Sequence, residues 1–458
     1  MFKFYKTIKM KTNIFLLMAM FLSGCIDQIT PPAPLFPIPT EQHQNWHQLE
    51  YYAFIHFGPN TFTDKEWGYG DESPAIFNPT ELDCRQWARI IKAAGMRGII
   101  LTTKHHDGFC MWPSPETEHS VKNSPWRNGK GNLLQELRDA CNEYDLKLGF
   151  YLSPWDRNHA QYGSPLYIEY FRKQLKDILT NYGEIFEVWF DGANGGDGYY
   201  GGANEVRKID KKTYYDWDST IKIVNKLQPN AIIFSDKGPG ARWIGNERGV
   251  AGETNWCLLN PDSIIVGGAN NMKLLNEGDI NGTNWIPGET DVSIRPGWFY
   301  HQSQDKKVKS TEHLLNIYYA SVGSNSNLLL NIPIDKRGLI HENDSAALMD
   351  LKKILDESFA QNLTQSANLQ ASNTRGNMEQ YKVENAIDNN KVSYWATDNG
   401  VVASNVIIDF GNPTQINCFM VQEYIALGQR VKEFKIEAFI NDKWETINEA
   451  TTIGRANA

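Results

Sequence analysis

Cysteine is scarce in this chain of 458 residues, which contains only six. They are scattered, with no Cys-x-x-Cys pair and no group of Cys and His at the spacing of a zinc site. This scarcity argues against a disulfide framework and against a structural zinc. One of the six, Cys25, is considered below with the N-terminus. We expect the others to be mostly buried free thiols: Cys84, Cys110, Cys141, Cys257 and Cys418.

Positive charge is also in short supply, since 45 Lys and Arg face 54 Asp and Glu, which gives a net charge of −9. Binding to a phosphate backbone needs a basic surface, so the composition argues against a nucleic-acid partner. Aromatic residues, in contrast, are plentiful, with 14 Trp, 20 Tyr and 21 Phe. Such rings fill cores, and they are also common platforms for the C–H faces of sugars.

Long apolar runs are missing except near the N-terminus, where one extends from Ile14 to Leu22. This run is too short to span a bilayer as a mature helix. Four Lys precede it and Ser23-Gly24-Cys25 follows it, which predicts a secretory signal over residues 1–25. LSGC at 22–25 resembles a bacterial lipobox, which implies cleavage before Cys25 and lipidation of its thiol. The alternative is an ordinary signal with a chance cysteine.

The lipobox resemblance implies an exported bacterial lipoprotein that is held to a membrane through its lipid, in the periplasm or on the cell surface. The next segment, residues 26–45, is rich in Pro between 27 and 39 and is predicted to be a tether.

Residues 46–363 alternate between strand-like and helical patterns, which predicts parallel strands joined by crossover helices. Several such repeats within some 300 residues favour a closed (β/α)8-like TIM barrel. An open doubly wound sheet is the second choice. The strand-like runs are 51–58, 98–109, 146–156, 184–193, 230–236, 290–300 and 327–335, and the helical patterns are 84–95, 132–145, 167–183, 214–228, 310–323 and 350–362.

Residues 364–458 have short alternating runs typical of an all-β sandwich. Within them, AIDNNKVSYWATD (386–398) resembles the signature of the discoidin-like, F5/8 type C module. Such modules usually run somewhat longer than this remainder, so the sequence predicts an incomplete sandwich. The resemblance also makes bound calcium an expectation for this module, but no set of calcium ligands can be identified in its sequence.

Polar residues recur where the predicted barrel strands end: His56, His105, His106, Tyr151, Asp191 and Asp236. Catalytic groups of such barrels lie at the C-terminal ends of the strands, so these residues predict a catalytic mouth. The run His-His-Asp could instead ligate a metal. We expect no metal there and no catalytic cofactor, because consecutive side chains of a strand point to opposite faces and no third ligand has suitable spacing.

Asp191 follows an apolar strand and precedes a glycine-rich loop, so it is either a cap of the turn or a catalytic carboxylate. A carboxylate beside aromatic rings at a barrel mouth suggests glycoside hydrolysis, which requires a second carboxyl group. The stretch 234–256 supplies three candidates, Asp236, Glu247 and Glu253. Composition alone cannot choose among them.

Several motifs together resemble glycoside hydrolase family 29, the α-L-fucosidases: FIHFG (54–58), EWG (66–68), KHHDGF (104–109), YLS (151–153), WFDG (189–192) and NLLLNIP (327–333). The resemblance implies an exo-acting, retaining α-L-fucosidase with Asp191 as nucleophile. RWIGNE (242–247) and SIRPGWFYH (293–301) resemble the subfamily that favours α-1,3- and α-1,4-linked fucose, which implies Glu247 as acid/base. Residues 195–207 are an insertion between the two motifs.

The partner that the resemblance implies is a fucosylated oligosaccharide. Trp298, in a predicted loop, is expected to touch the leaving-group sugar. Two other readings stay open, namely a non-catalytic glycan-binding surface lipoprotein and a barrel hydrolase of another exo-linked sugar. The fucose contacts implied are His56, Glu66, Trp67, His105, His106, Tyr151, Trp189 and Arg242.

Overall fold

The computed structural model describes residues 29–454. The predicted signal peptide (residues 1–25) and the lipidation site Cys25 therefore lie outside the described residues. In the part of the chain from 29 to 454, no helix is both long and apolar enough to cross a membrane.

Eight parallel strands close into a barrel in which every strand pairs with its neighbours in the sequence. The first and last strands complete the ring, with Tyr51 opposite Leu328. This closure confirms the predicted barrel and rules out the open sheet. The strands are β1 Tyr51–Ile55, β2 Gly98–Lys104, β3 Lys147–Leu152, β4 Glu187–Trp189, β5 Ile232–Ser235, β6 Ala241–Trp243, β7 Gly288–Ser293 and β8 Asn327–Asn331.

Helices surround the barrel, and the helix Cys84–Ala93 (α3) illustrates why they form. Asp83 caps its start by accepting a hydrogen bond from the backbone N–H of Arg85, and Trp87, Ala88 and Ile91 bury one face of the helix. The α-helices are α1 Glu41–His47, α2 Pro59–Thr63, α3 Cys84–Ala93, α4 Leu133–Glu143, α5 Pro165–Asn181, α6 Trp217–Leu227, α7 Met272–Glu277, α8 Thr311–Ser321 and α9 Glu342–Ser358. The 3-10 turns are Pro74–Ile76, Val121–Asn123, Trp126–Gly129, Tyr200–Gly202, Pro261–Ser263, Gln302–Gln304, Leu363–Ser366, Arg375–Asn377, Glu379–Tyr381, Val383–Ala386 and Ile425–Leu427.

Strand β6 was not among the predicted strands. It has only three residues, and only residues 236–240 separate it from β5, so no helical pattern marks the crossover. Its strand character comes from pairing, with Ala241 opposite Phe234 on one side and Arg242 opposite Gly288 on the other. Local periodicity could not have revealed it.

The described part of the segment predicted as a tether, residues 29–45, makes contacts with the rest of the chain. Helix α1 closes the base of the barrel, where the Trp46 indole donates to Glu187 at 2.8 Å. Upstream, the backbone N–H of Leu35 donates to the carbonyl of Leu427 at 2.9 Å, and the Arg375 guanidinium donates to the carbonyl of Thr30 at 2.7 Å. The described part of residues 26–45 therefore contacts the barrel and the C-terminal module, and a role of the segment as a tether stays a prediction.

The C-terminal module contains two small antiparallel sheets, Asn368–Ala371 with Val406–Asp409 and Phe434–Ile440 with Lys443–Ala450. It docks on the barrel, where Gln429 accepts from the backbone N–H of Cys257 at 2.8 Å. The docking region also contains Asn325, which directly precedes the start of β8. The module therefore sits at the end of the barrel opposite the catalytic mouth.

Two short strand pairs complete the description of residues 29–454. Leu258–Leu259 pairs with Asn284–Trp285 near the docking region, and Gly196–Gly198 pairs with Glu205–Arg207 in the predicted insertion. Four cysteines are buried free thiols and Cys418 is a half-buried one, in agreement with the prediction.

Candidate active site

The C-terminal ends of β1 to β4 bring together five of the predicted polar residues. The Tyr151 hydroxyl donates to Asp191 Oδ2 at 2.9 Å, and His106 Nε2 lies 3.7 Å from the same oxygen. The His105 ring lies between, 5.7 Å from the His56 ring and 5.8 Å from that of Tyr151. The predicted mouth therefore exists as one cluster around the Asp191 carboxylate.

Asp191 is held by two hydrogen bonds in a partly exposed position, with 23% of its side chain open to solvent. One oxygen accepts from the backbone N–H of Ala193 at 2.7 Å and the other accepts from Tyr151. Burial raises the pKa of Asp191, while these two hydrogen bonds favour the ionised form and lower it. The net shift is upward, and the fixed carboxylate points into the mouth.

Glu247 lies on the loop after β6 and joins the mouth through Trp298, whose indole N–H donates to Glu247 Oε2 at 3.1 Å. Although the residue is exposed, surrounding protein raises the pKa of its carboxyl, and the charges of Asp191 and Glu66 raise it further. Glu247 and Asp191 are thus coupled electrostatically. Two carboxyls at one mouth, one fixed by Tyr151 and Ala193 and the other on the rim beside Trp298, are a suitable pair for acid-assisted displacement.

Glu66 and Trp67 form another part of the rim. Glu66 Oε2 accepts from the backbone N–H of Trp298 at 2.8 Å, and its Oε1 lies 2.6 Å from His301 Nε2. The Trp67 ring is 53% exposed and meets the His106 ring edge to face at 5.3 Å. An exposed indole this close to the Asp191 cluster provides an apolar surface for a ligand.

The floor of the mouth is Trp189, which is 6% exposed. Its ring stacks on Phe234 at 4.1 Å and on Tyr151 at 5.3 Å. Its indole N–H donates to Glu289 at 2.8 Å, inside the barrel. Trp189 is therefore mainly a core residue that presents one edge to the site.

Comparison with known proteins agrees with this geometry. The family model described as alpha-L-fucosidase matches residues 35–358. The chain belongs to the α-L-fucosidase family, glycoside hydrolase family 29. The model described as F5/8 type C domain matches residues 365–458, which is the C-terminal module.

Relatives of this fucosidase family cover nearly the whole chain. Alpha-L-fucosidase 1 of Arabidopsis thaliana is 42% identical over 92% of this chain and 81% of its own length. A glycoside hydrolase 29 family member from a rumen bacterium is 51% identical with a TM-score of 0.82, over 93% of this chain and 72% of that one. A Ruminococcus gnavus GH29 fucosidase solved in complex with fucose is 31% identical with a TM-score of 0.83, over 93% and 90%.

Arg242 does not reach the mouth, which corrects one predicted contact of this fucosidase. Its side chain is fully buried and donates to the carbonyls of Leu275 and Ile286 and to the side chain of Asn255. Strand alternation directs the neighbouring Trp243 inward instead, where its indole donates to Asp291 at 3.0 Å. The prediction failed because the register of β6 is set by pairing with β5 and β7.

We expect Arg242→Ala to lower the free energy of unfolding by about 3 kcal/mol, because three buried oxygens would lose their donors. The KM for an aryl fucoside should change less than about twofold when the folded fraction is held constant. Chemical denaturation and steady-state kinetics measure the two quantities. Arg248→Ala, an exposed change on the neighbouring loop, is the control. A KM raised tenfold at unchanged stability would contradict this assignment.

Two of the candidate acids are placed unfavourably. Asp236 is buried behind the backbone of Gly192 and accepts from the N–H of Gly267 at 2.7 Å. Burial raises the pKa of Asp236 to about 6, with a further contribution from the charge of Asp191. Glu253 is exposed beside the docked module, where its carbonyl accepts from Thr452. Glu247 is the candidate whose carboxylate contacts the rim.

Some residues of the site had no recognised role in the sequence. Asn331, at the end of β8, accepts from His56 Nδ1 through its Oδ1 at 2.8 Å, and its Nδ2 donates to the Trp298 carbonyl at 2.9 Å. Ser153 Oγ lies 2.8 Å from His106 Nδ1. Both are polar residues at strand ends, which is the signal that could have found them.

Glu187 and Glu289 form a pair of fully buried carboxyls beneath Trp189. The Trp46 and Trp189 indoles and the Tyr52 hydroxyl donate to them. Burial raises the pKa of both carboxyls, and for Glu187 the charge of Glu289 adds to the rise. The sequence feature that could have revealed this pair is an acidic residue inside an otherwise apolar strand.

Burial favours the neutral form of the histidines in the cluster around Asp191. Burial lowers the pKa of His56 to about 3 and that of His106 to about 3. Within residues 29–454, no three or more His, Cys, Asp and Glu side chains are grouped as a metal site would require. The same holds for the described part of the C-terminal module, where bound calcium stays a prediction.

The insertion at 195–207 is an antiparallel hairpin at the rim. Its Tyr200 hydroxyl accepts from the Trp155 indole at 3.0 Å, and Trp155 meets the Trp67 ring edge to face at 5.6 Å. Arg157 links the two parts, since it donates to the carbonyls of Gly68 and Asp197. The hairpin therefore supports the Trp67 side of the mouth.

Proposed function

We propose that this protein is an exo-acting, retaining α-L-fucosidase that removes α-1,3- or α-1,4-linked fucose from oligosaccharides or glycoconjugates. The observation that carries the proposal is the presence of Asp191, held by Tyr151, and of Glu247, held by Trp298, at one barrel mouth in a chain of the α-L-fucosidase family. The Ruminococcus gnavus relative solved with fucose supports the choice of sugar.

In the first step, an Asp191 oxygen forms a bond to the anomeric carbon of fucose while the glycosidic C–O bond breaks. Glu247 gives its proton to the departing oxygen, so the acceptor sugar leaves as an alcohol. The N–H of Ala193 and the hydroxyl of Tyr151 fix the direction of attack, because both donate to the Asp191 carboxylate. The product of this step is a fucosyl ester of Asp191.

In the second step, water attacks the same carbon from the opposite side. Glu247, now ionised, takes the proton of this water, and the bond to Asp191 breaks with its electron pair returning to the carboxylate. Two inversions leave the fucose with its original α configuration. Asp191 and Glu247 thus supply the nucleophile and the acid/base for both steps.

The remaining rim residues are assigned to binding. Neutral His56, His105 and His106 can each donate and accept, which suits sugar hydroxyls, and Glu66 can accept from them. Trp67 and the exposed edge of Trp189 are assigned to the C–H faces and the methyl group of fucose. Trp298, which contacts Glu247, is assigned to the leaving-group sugar. Arg242 has no part in this set.

The pH dependence should be bell-shaped. Activity falls at low pH because Asp191 must be ionised, and it falls at high pH because Glu247 must be protonated in the first step. Burial raises the pKa values of Asp191 and Glu247, so both limbs of the profile should lie at a higher pH than the pKa values of ordinary carboxyls would give. In Glu247→Ala, with a dinitrophenyl fucoside that needs no acid, the high-pH limb of kcat/KM should disappear while the low-pH limb stays. A high-pH limb of unchanged position would contradict the role of Glu247.

Release of free fucose is the experiment that tests the function. The purified chain would be incubated with aryl glycosides of several sugars and with oligosaccharides carrying α-1,2-, α-1,3-, α-1,4- or α-1,6-linked fucose. We expect turnover of the fucoside and of the α-1,3 and α-1,4 linkages. Fucose binding without turnover would favour the glycan-binding lipoprotein, and turnover of a different glycoside would favour another exo-hydrolase.

We further propose that the protein is exported and held to a bacterial membrane through lipid on Cys25. The proposal rests on the sequence LSGC at 22–25. Labelling with a radioactive fatty acid and fractionation of cells that make wild type or Cys25→Ser test it. Equal membrane association and no label in either protein would overturn it.

A further inference from the structure

His301 lies between two carboxylates. Its Nε2 is 2.6 Å from Glu66 Oε1, and its Nδ1 is 2.7 Å from Asp64 Oδ1. The residue is buried, with 9% of its surface exposed. An ionised carboxylate only accepts hydrogen bonds, so both ring nitrogens must donate. The geometry therefore requires an imidazolium with one carboxylate on each side.

Asp64 adopts an unusual backbone conformation to take part. It ends α2 with φ 61° and ψ 41°, in the left-handed region. For a residue other than Gly this region costs about 1–2 kcal/mol, although Asp and Asn tolerate it better than most. The Asp64 carboxylate is largely exposed apart from its contact with His301. Such a conformation beside a binding site points to a function.

Glu66 connects this trio to the rest of the mouth. Its second oxygen accepts from the backbone N–H of Trp298, and the Trp298 indole in turn donates to Glu247. Gly297 gives the room for this contact, since a Cβ there would lie 2.3 Å from Glu66 Oε1 and 3.0 Å from His301 Cδ2. A continuous path of contacts therefore runs from Asp64 to the proposed acid/base.

We propose that His301, oriented by Asp64, is a positioning residue that keeps Glu66 aimed at the sugar hydroxyls, and that holds Trp298 against Glu247 through the same carboxylate. The proposal rests on the fucosidase function proposed above. It adds a role for two side chains, His301 and Asp64, that do not touch the substrate.

The charges around the ring agree with this role. Burial lowers the pKa of His301, but the hydrogen bonds to Glu66 and Asp64 and the charges of these carboxylates outweigh it, so the pKa lies above its ordinary value. The turn that follows His301 adds no further charge to the ring. Gln304, which is uncharged, lies near Gly297, and Asp305 pairs with Arg295 and Tyr300. The raised pKa favours the imidazolium, which is lost as the pH rises through that pKa.

The test compares Asp64→Asn, His301→Gln and the exposed control His313→Gln with wild type. Asn tolerates the left-handed conformation, so Asp64→Asn removes one charge and leaves the turn intact. In Asp64→Asn we expect the imidazole pKa of His301, followed by NMR of ring-labelled protein, to fall by about one unit. In His301→Gln we expect KM for an aryl fucoside and the dissociation constant for fucose to rise about tenfold, with kcat within about threefold.

A purely structural role predicts a different pattern. It would lower the melting temperature and kcat together and leave KM and fucose affinity unchanged, which would overturn the proposal. An imidazole pKa that does not move in Asp64→Asn would also overturn it. Failure of the fucosidase function is distinguishable, because wild type itself would then neither bind fucose nor release it, whereas His313→Gln should equal a working wild type.

Discussion

Asp191→Ala should lower kcat/KM for an aryl α-L-fucoside by about 10⁴-fold or more, because the first bond to the anomeric carbon can no longer form. Folding should be little affected, since Asp191 is partly exposed and its partners Tyr151 and Ala193 can bind water in its place. Steady-state kinetics of the purified variant, after its native fold has been verified, measure the loss of kcat/KM.

The control for this variant is Asp218→Ala, an exposed carboxylate in the first turn of α6. It should stay within about twofold of wild type, as surface substitutions usually do. Azide added to Asp191→Ala should yield β-fucosyl azide, because a single displacement inverts the anomeric carbon. Retention of full activity by Asp191→Ala would refute the proposed nucleophile.

Glu247→Ala should lower kcat/KM by about 10²–10⁴-fold for oligosaccharides, whose leaving oxygen needs a proton, and far less for a dinitrophenyl fucoside. Azide should then restore turnover, because an anion that needs no general base can attack the fucosyl ester. The product should be α-fucosyl azide, with the configuration of the substrate retained. Analysis of the azide product by NMR distinguishes it from the β product of Asp191→Ala.

Asp236→Ala and Glu253→Ala are the matched variants for this experiment, since the sequence alone left all three acids open. Asp236 lies buried behind Gly192 and Glu253 lies beside the module, so neither should show azide rescue. Rescue with retained configuration in either of them, and not in Glu247→Ala, would move the acid/base role to that residue.

The fold was predictable because its evidence is local. Strand-like runs such as 98–109 and helical patterns such as 84–95 bury one face each, and their alternation indicates a parallel barrel before any contact is known. The observed strands are shorter at their C-terminal ends. Residues such as His105 and Asp191 follow the strand ends and form the mouth. The polar residues there made the strand boundaries hard to predict, and they also indicated where the site lies.

The sequence by itself therefore determined the barrel, the C-terminal module and the polar strand ends around Asp191. Only the tertiary structure decided which way Arg242 and Trp243 face, that residues 30–35 bind the module, and that His301 meets Glu66, 235 positions away in the chain. The physical reason is the range of the interactions. Periodicity and turn chemistry act over a few residues, whereas strand register, buried charge pairs and rim contacts depend on groups that only the closed barrel brings together.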